Sequence, residues 1–312
     1  MEIPEPAGRK EEQKMNSVKE KMAGIYPATV TPFSADGSIN RLAMLEIMKR
    51  NLEEGAGGLF IGGSSAECFL LSPRERKNAF EVASELKGKT NLIAHVGAVS
   101  TCQACDYAKY AKELGFDAIA ATPPFYYGFG SREISRYYHD IYEASGMPVI
   151  IYNFPGNTGK EFNLADPVYR ELFCSPAILG VKHTNQVVYQ MERIRSLNPD
   201  LVVLNGFDET MVAGLALGAD GSIGSTFNFM LPHYKLIFDT YKKKDLELAL
   251  ELQVKANNIM EALCSVGLIP AIKYVLTAQG IDAGEPRRPF LPLSPEQKQY
   301  LEQVLRQNLV AG

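Results

Sequence analysis

Eight short apolar runs, each followed by a helical stretch, limit most strongly how this chain can fold. The runs are Ile25–Thr31, Gly58–Ile61, Asn91–Gly97, Asp117–Ala121, Pro148–Asn153, a segment ending at Lys182, Leu201–Gly206 and Asp220–Gly224. Each is too short for a helix, rich in β-branched or small residues, and bounded by turn residues. They recur at intervals of roughly 20–35 residues, enough for a helix and its two loops. Strands that are apolar along their whole length are buried on both faces, as in a parallel sheet with helical crossovers. One crossover shows in the spacing of Leu42, Leu45, Ile47, Met48 and Leu52; Ser72-Pro73-Arg74-Glu75 is the capped start of the next. Eight strands, with no Gly-rich dinucleotide loop after the first, favour a closed (β/α)8 or TIM barrel of the α/β class over a doubly wound sheet.

Beyond Leu231 the strand signals stop, and residues 245–263, 268–279 and 294–307 read as helices. The expected organisation is a disordered tail over 1–23, a barrel over 24–242 and a C-terminal helical extension over 243–312. The first 22 residues are rich in Glu and Lys and lack the apolar segment of a secretory signal. A net charge of −4 gives no electrostatic footprint for nucleic acid or an anionic membrane. No apolar stretch approaches the ~20 residues that span a bilayer. Five scattered cysteines, Cys68, Cys102, Cys105, Cys174 and Cys264, suggest free thiols and a cytoplasmic location. Cys102 and Cys105 form a lone C-x-x-C, which reads as two small helix residues or a redox pair; no matching second pair supports a metal site.

Catalytic groups of such barrels lie at the carboxyl ends of the strands. The residues there are Thr29, Thr31, Ser64, Ser65, Tyr126, Tyr127, Tyr152, Lys182, Thr184, Gly206, Asp208, Glu209 and Ser225. Lys182 ends the apolar run Ala177-Ile178-Leu179-Gly180-Val181. Desolvation at such a place disfavours a charged amine, and an uncharged amine attacks carbonyls to form a Schiff base. Taken singly, each residue has an ordinary reading. Lys182 could point to solvent, Tyr152 could be a core tyrosine, and Ser64-Ser65 could be turn residues. Asp208-Glu209 could be the acidic start of a helix. As a set, one ammonium, one phenol, a serine pair and a pair of acids suit Schiff-base chemistry on an oxo acid.

Four segments carry a resemblance: Gly63-Ser64-Ser65-Ala66-Glu67, Tyr152-Asn153-Phe154-Pro155-Gly156-Asn157-Thr158-Gly159, Gly180-Val181-Lys182-His183-Thr184 and Gly221-Ser222-Ile223-Gly224-Ser225. In this order and spacing the chain from about Gly24 to Leu305 resembles the N-acetylneuraminate lyase and dihydrodipicolinate synthase superfamily of class I, pyruvate-dependent aldolases. Asn205-Gly206-Phe207-Asp208-Glu209 and Ile223-Gly224-Ser225-Thr226-Phe227-Asn228 are similar to the sialic acid lyase branch. Position 157 is Asn, where synthases usually place an arginine that grips a second carboxylate. Ala66 stands where the family usually has glycine, which questions the geometry of that loop.

The resemblance implies an imine on Lys182 with no metal or organic cofactor, and a proton relay through Tyr152. It implies that Ser64 and Ser65 hold the substrate carboxylate, and that Thr184, Gly206, Asp208, Glu209 and Ser225 hold sugar hydroxyls. It further implies a homotetramer in which Tyr126 or Tyr127 approaches a neighbouring site. Sialic acid, pyruvate and N-acetylmannosamine are the implied small molecules. The competing readings are a dihydrodipicolinate synthase, a deoxy-sugar-acid aldolase, or an idle barrel that only binds sugar acids.

Overall fold

The computed structural model describes residues 18–309. Its strands are β1 (Gly24–Pro27), β2 (Gly58–Ile61), β3 (Asn91–His95), β4 (Ala118–Ala121), β5 (Val149–Asn153), β6 (Ile178–His183), β7 (Val202–Asn205) and β8 (Gly221–Gly224). All pair in parallel, in the order β1-β8-β7-β6-β5-β4-β3-β2. The remaining seam, between β1 and β2, is closed by a bridge from Ala28 to Phe60 and by hydrogen bonds of 2.9 Å from Thr29 N to Phe60 O and from Gly57 N to Ile25 O. The result is the closed TIM barrel that eight buried strands require, since closure leaves no open edge.

The outer layer is α1 (Arg41–Glu53), α2 (Pro73–Ser84), α3 (Thr101–Leu114), α4 (Ser131–Ser145), α5 (Pro167–Phe173), α6 (Tyr189–Leu197), α7 (Met211–Ala216) and α8 (Phe227–Lys242). Local chemistry sets their ends. At the start of α2, Ser72 Oγ accepts from Glu75 N (3.3 Å), and Glu75 Oε2 accepts from Ser72 N (2.7 Å), with Pro73 at the first helical position. α3 stops at Gly115, whose φ of 82° is the left-handed conformation glycine adopts without strain.

Three further helices, α9 (Leu246–Val266), α10 (Leu268–Ala278) and α11 (Pro295–Asn308), form the C-terminal helical region. They share a core with the barrel: Ile25, Val30, Ala43 and Ile47 pack with Leu252, Ala256, Ile259, Ile272 and Leu276. Among the described residues no single helix is long and apolar enough to cross a membrane. A separate cluster fills the barrel interior, from Met22 and Tyr26 at one end to Tyr152 and Phe60 at the other.

The N-terminal expectation needs one correction. Residues 18–22 are helical and Met22 is buried, so they belong to the barrel rather than to a tail over 1–23. Lys21 Nζ donates to Asp117 Oδ1 (2.7 Å), Asn91 Nδ2 donates to Lys21 O (2.7 Å), and Lys19 Nζ donates to Pro199 O (3.1 Å). Asp117 and Pro199 lie just before β4 and β7, and Asn91 is the first residue of β3, so this turn lies across the amino ends of the strands. The rest of the expected tail, 1–17, falls outside the described residues.

Asn228, buried on α8, holds the seam. Its Nδ2 donates to Ala28 O (2.8 Å) and Ser225 O (2.7 Å), and its Oδ1 accepts from Val30 N (3.3 Å). Asn228→Leu would take the side-chain partner from Val30 N and Ala28 O, leaving Ser225 O only the backbone N–H of residue 228, at a cost of about 2–4 kcal/mol. The urea midpoint should fall accordingly; an unchanged midpoint would remove Asn228 from the closure.

Candidate active site

Tyr152 and Lys182 are cross-strand partners on β5 and β6, so their side chains project to the same side, into the barrel. This register depends on an irregularity at the start of the pair. Val149 pairs with Ile178, but Ile150 pairs with Gly180, so Leu179 is skipped. Lys182 is 3% exposed. Its Nζ lies 3.8 Å from the ring centroid of Tyr152 and 4.7 Å from that of Phe60. Two aromatic faces thus receive the amine in place of water. The Tyr152 ring stacks on Phe154 at 5.7 Å and meets the edges of Phe60 and His95 at 5.9 and 5.6 Å. Its hydroxyl lies 3.4 Å from Ser64 Oγ.

The serine loop is fixed at its entry by a neutral histidine. A backbone N–H only donates, so the bond from Thr122 N (3.3 Å) makes His95 Nε2 an acceptor. The proton is then on Nδ1, which donates to Gly62 O at 2.9 Å. Burial, then the nearby Arg76 charge, hold the His95 pKa well below its usual value. Gly62 has φ of 74° and turns the chain into the short helical turn Ser64–Ala66, where both serines are half-buried. Thr31 Oγ1 donates to Ala66 O at 2.9 Å, whereas Thr29 Oγ1 is buried and makes no hydrogen bond. Beyond Gly62, the left-handed residue of this loop is Glu67, at φ 58°, and not Ala66. Alanine in place of the family's glycine therefore adds no backbone strain.

The acids behave differently from one another. Asp208 is buried; its Oδ2 accepts from Thr226 Oγ1 (2.6 Å), Thr226 N (2.8 Å) and Ser225 Oγ (3.3 Å), and its Oδ1 from Ser225 N (3.2 Å). Burial pushes its pKa up, against those hydrogen bonds and the Lys182 charge. Oδ2 is fully engaged in holding the loop after β8, which leaves only Oδ1 with capacity for a ligand. Glu209 Oε2, in contrast, is buried and accepts no hydrogen bond, and burial raises the pKa of this carboxyl too. Thr184 Oγ1 is likewise buried and unpartnered. Beside it Gly206 donates its N–H to His183 O (2.8 Å); a Cβ there would lie 2.0 Å from Thr184 Oγ1. The structure thus gathers Ser64, Tyr152 and Lys182 at one point, and Asp208 with Ser225 beside them.

Tyr126 and Tyr127 are not brought to that point within one chain. They are 75% and 61% exposed; the two rings touch each other, and Tyr127 also touches Phe129. Two surface cavities of about 660 and 630 Å³ also lie elsewhere; the first runs between Asn163 and Arg193, the second between Phe33 and Arg287.

The Dihydrodipicolinate synthetase family matches residues 21–308 of this sequence. The chain belongs to that family. Among solved structures, it is similar to CdNal from Clostridium difficile, solved with mannosamine, at 37% identity and TM-score 0.88, over 92% of this chain and 99% of that one. It is similar to N-acetylneuraminate lyase from Fusobacterium nucleatum at 38% identity and TM-score 0.87, over 93% of this chain and 100% of that one. Ruminococcus gnavus sialic acid aldolase matches at 27% identity and TM-score 0.86, over 93% of this chain and 100% of that one.

Sequence reasoning did not find several residues that shape this family site here. Phe60 and Phe154 are apolar residues in or beside strands, with nothing in their local pattern to place them against Lys182 and Tyr152. His95 and Arg76 were legible only as polar residues in otherwise apolar or helical segments; Arg76 Nη2 donates to His95 O (2.6 Å) and Nη1 to Gly97 O (2.8 Å).

His183, next to Lys182, accepts from Asn153 Nδ2 on Nδ1 and donates from Nε2 to Val187 O, both at 3.1 Å. Burial lowers its pKa to about 4. The unfolded chain, with a histidine pKa of about 6.5, binds this proton more readily, so folding stability is lost as pH falls from about 6.5 towards about 4. Burial depresses His95 and His233 in the same direction. Calorimetry should show the melting temperature dropping across that interval; a flat profile would refute neutral burial.

Proposed function

We propose that this chain is a Schiff-base, class I aldolase that cleaves N-acetylneuraminate to N-acetylmannosamine and pyruvate. The observation that carries the reading is the Lys182 amine, closed to water against the Tyr152 ring, with the Tyr152 hydroxyl beside Ser64. The similar lyases at 37–38% identity support the substrate, as does the Fusobacterium nucleatum enzyme solved with pyruvate. Asn157, which supplies no guanidinium for a second carboxylate, weighs against the synthase reaction.

In this reading Lys182 attacks the C2 ketone of the open-chain sugar acid, and water leaves as the imine forms. The C4 hydroxyl gives up its proton and its O–H electrons become the new carbonyl. The C3–C4 pair moves into a C2–C3 enamine, for which the iminium is the sink. Tyr152 relays the proton, taking it from the C4 hydroxyl and passing its own to the substrate carboxylate. N-acetylmannosamine departs. Protonation at C3 and hydrolysis then release pyruvate and restore the amine. Ser64 and Ser65 hold the carboxylate, which fixes the reacting carbons in place. Thr184, Gly206, Glu209, Ser225 and the free side of Asp208 receive the sugar hydroxyls. The buried, unpartnered oxygens of Thr184 and Glu209 support this, because such atoms are costly unless a ligand pairs them. The covalent imine supplies the electron sink, so the reaction calls for no added cofactor.

The reading extends to a cytoplasmic homotetramer. Five cysteines without a disulfide support a reducing compartment. Exposed Tyr126 and Tyr127 are available to approach a neighbouring subunit's site.

A coupled assay should detect pyruvate released from sialic acid; no release would reject the reading. Borohydride with pyruvate should leave an adduct on the peptide that carries Lys182, and Lys182→Ala should lose both adduct and turnover while remaining folded. Tyr152→Phe should lower kcat by about a hundredfold or more with a smaller change in KM, as expected of a proton relay. A change confined to KM would leave Tyr152 a binding residue only.

A further inference from the structure

Lys273 lies in the middle of the apolar helix α10 (Leu268–Ala278) and is 1% exposed. Its Nζ sits 2.6 Å from Glu67 Oε1, lies 4.1 Å from the Phe33 ring centroid and donates to Glu285 O at 3.4 Å. Glu67 is equally closed to water, and its other oxygen accepts from Arg287 N at 2.6 Å. A buried ion pair of this kind is a weak source of stability, because desolvation offsets most of the attraction. What it does provide is a fixed geometry, and here that geometry is an unusual one.

Glu67 has φ 58° and ψ 33°, a left-handed conformation that non-glycine residues rarely adopt. It is the junction between two short helical turns, Ser64–Ala66 and Cys68–Leu70. Its N–H donates to Ser64 O at 3.0 Å and its carbonyl accepts from Leu70 N at 2.8 Å. Both turns therefore pivot on the residue that the ion pair holds. A second brace comes from the Arg287 guanidinium, which donates to Leu70 O (3.3 Å) and Glu75 Oε2 (2.9 Å). At the other end of the same turn, Ser64 Oγ stands 3.4 Å from the Tyr152 hydroxyl. A rotation at Glu67 would be felt there.

We propose that Lys273 is a positioning residue for the reaction: through Glu67 it sets the turn that presents Ser64 and Ser65 to the substrate carboxylate. The C-terminal helical region is thereby part of the apparatus that reads the carboxylate. This rests on the aldolase reading, in which the serine pair holds that group.

The test compares two ketones that differ in the carboxylate. The full chain and its Lys273→Met and Glu67→Gln variants are incubated with pyruvate or with acetone, reduced with borohydride, and weighed by mass spectrometry. The unmodified chain should be labelled on Lys182 at much lower pyruvate than acetone concentration. In Lys273→Met the pyruvate requirement should rise at least tenfold while the acetone requirement stays, and in turnover KM should rise more than kcat falls. Should that variant not fold, Glu67→Gln is read in the same way, since it keeps an acceptor for Arg287 N while removing the charge. An unchanged preference for pyruvate, or equal losses for both ketones, would overturn the role of Lys273. Failure of the unmodified chain to be labelled by either ketone would instead overturn the aldolase reading beneath it.

Discussion

The register between β5 and β6 is the constraint on which the site depends. Side chains alternate along a strand, so moving one strand by a single residue turns every side chain to the other face. Ile151 and Val181 face the helices, whereas Ile150 and Tyr152 face the barrel interior. If β6 paired without skipping Leu179, Val181 would stand beside Tyr152, and Lys182 would turn outward with Asn153 as its partner. The skipped residue is what brings amine and phenol to one side. Gly180 follows it, and a Cβ there would lie 2.1 Å from Val202 O, so glycine lets β6 and β7 run at normal spacing through the irregularity.

Around that pair the surroundings run from aromatic faces through a neutral imidazole to a paired charge. Aromatic faces take the amine, and the neutral His95 ties the strand ends to the serine loop. Charged groups that cannot be left alone are paired behind the loop, as with Lys273 and Glu67. Asp208 is turned towards the backbone of the loop after β8, while Glu209 and Thr184 keep buried oxygens free. The division separates atoms that hold the scaffold from atoms available to a ligand.

Much of this was legible in the chain itself, for identifiable reasons. The eight strands show because fully buried strands are continuous apolar runs, and the start of α2 shows because its capping residues are adjacent in sequence. Lys182, Tyr152 and the serine pair show because strand ends are where polar residues interrupt those runs. The skipped Leu179 has no such signature, since a bulge is a property of two strands and not of one. The Lys273–Glu67 pair joins residues far apart in sequence, and its only trace was a lysine inside the apolar segment Ile269-Pro270-Ala271-Ile272-Lys273-Tyr274-Val275. Residues 18–22 looked like tail because a single amphiphilic turn is too short to show periodicity.

That short turn has a bearing on traffic through the molecule. With Met22 seated against Tyr26 and the strand starts latched by Lys19 and Lys21, the cylinder is stoppered at one end. Among the described residues the opposite rim, where Lys182, Tyr152 and Ser64 lie, is left as the way in and out, and under the aldolase reading substrate and both fragments share it. Under the aldolase reading Lys182 holds one fragment covalently inside that doorway, so the sugar, which has no such tether, is the one free to leave first.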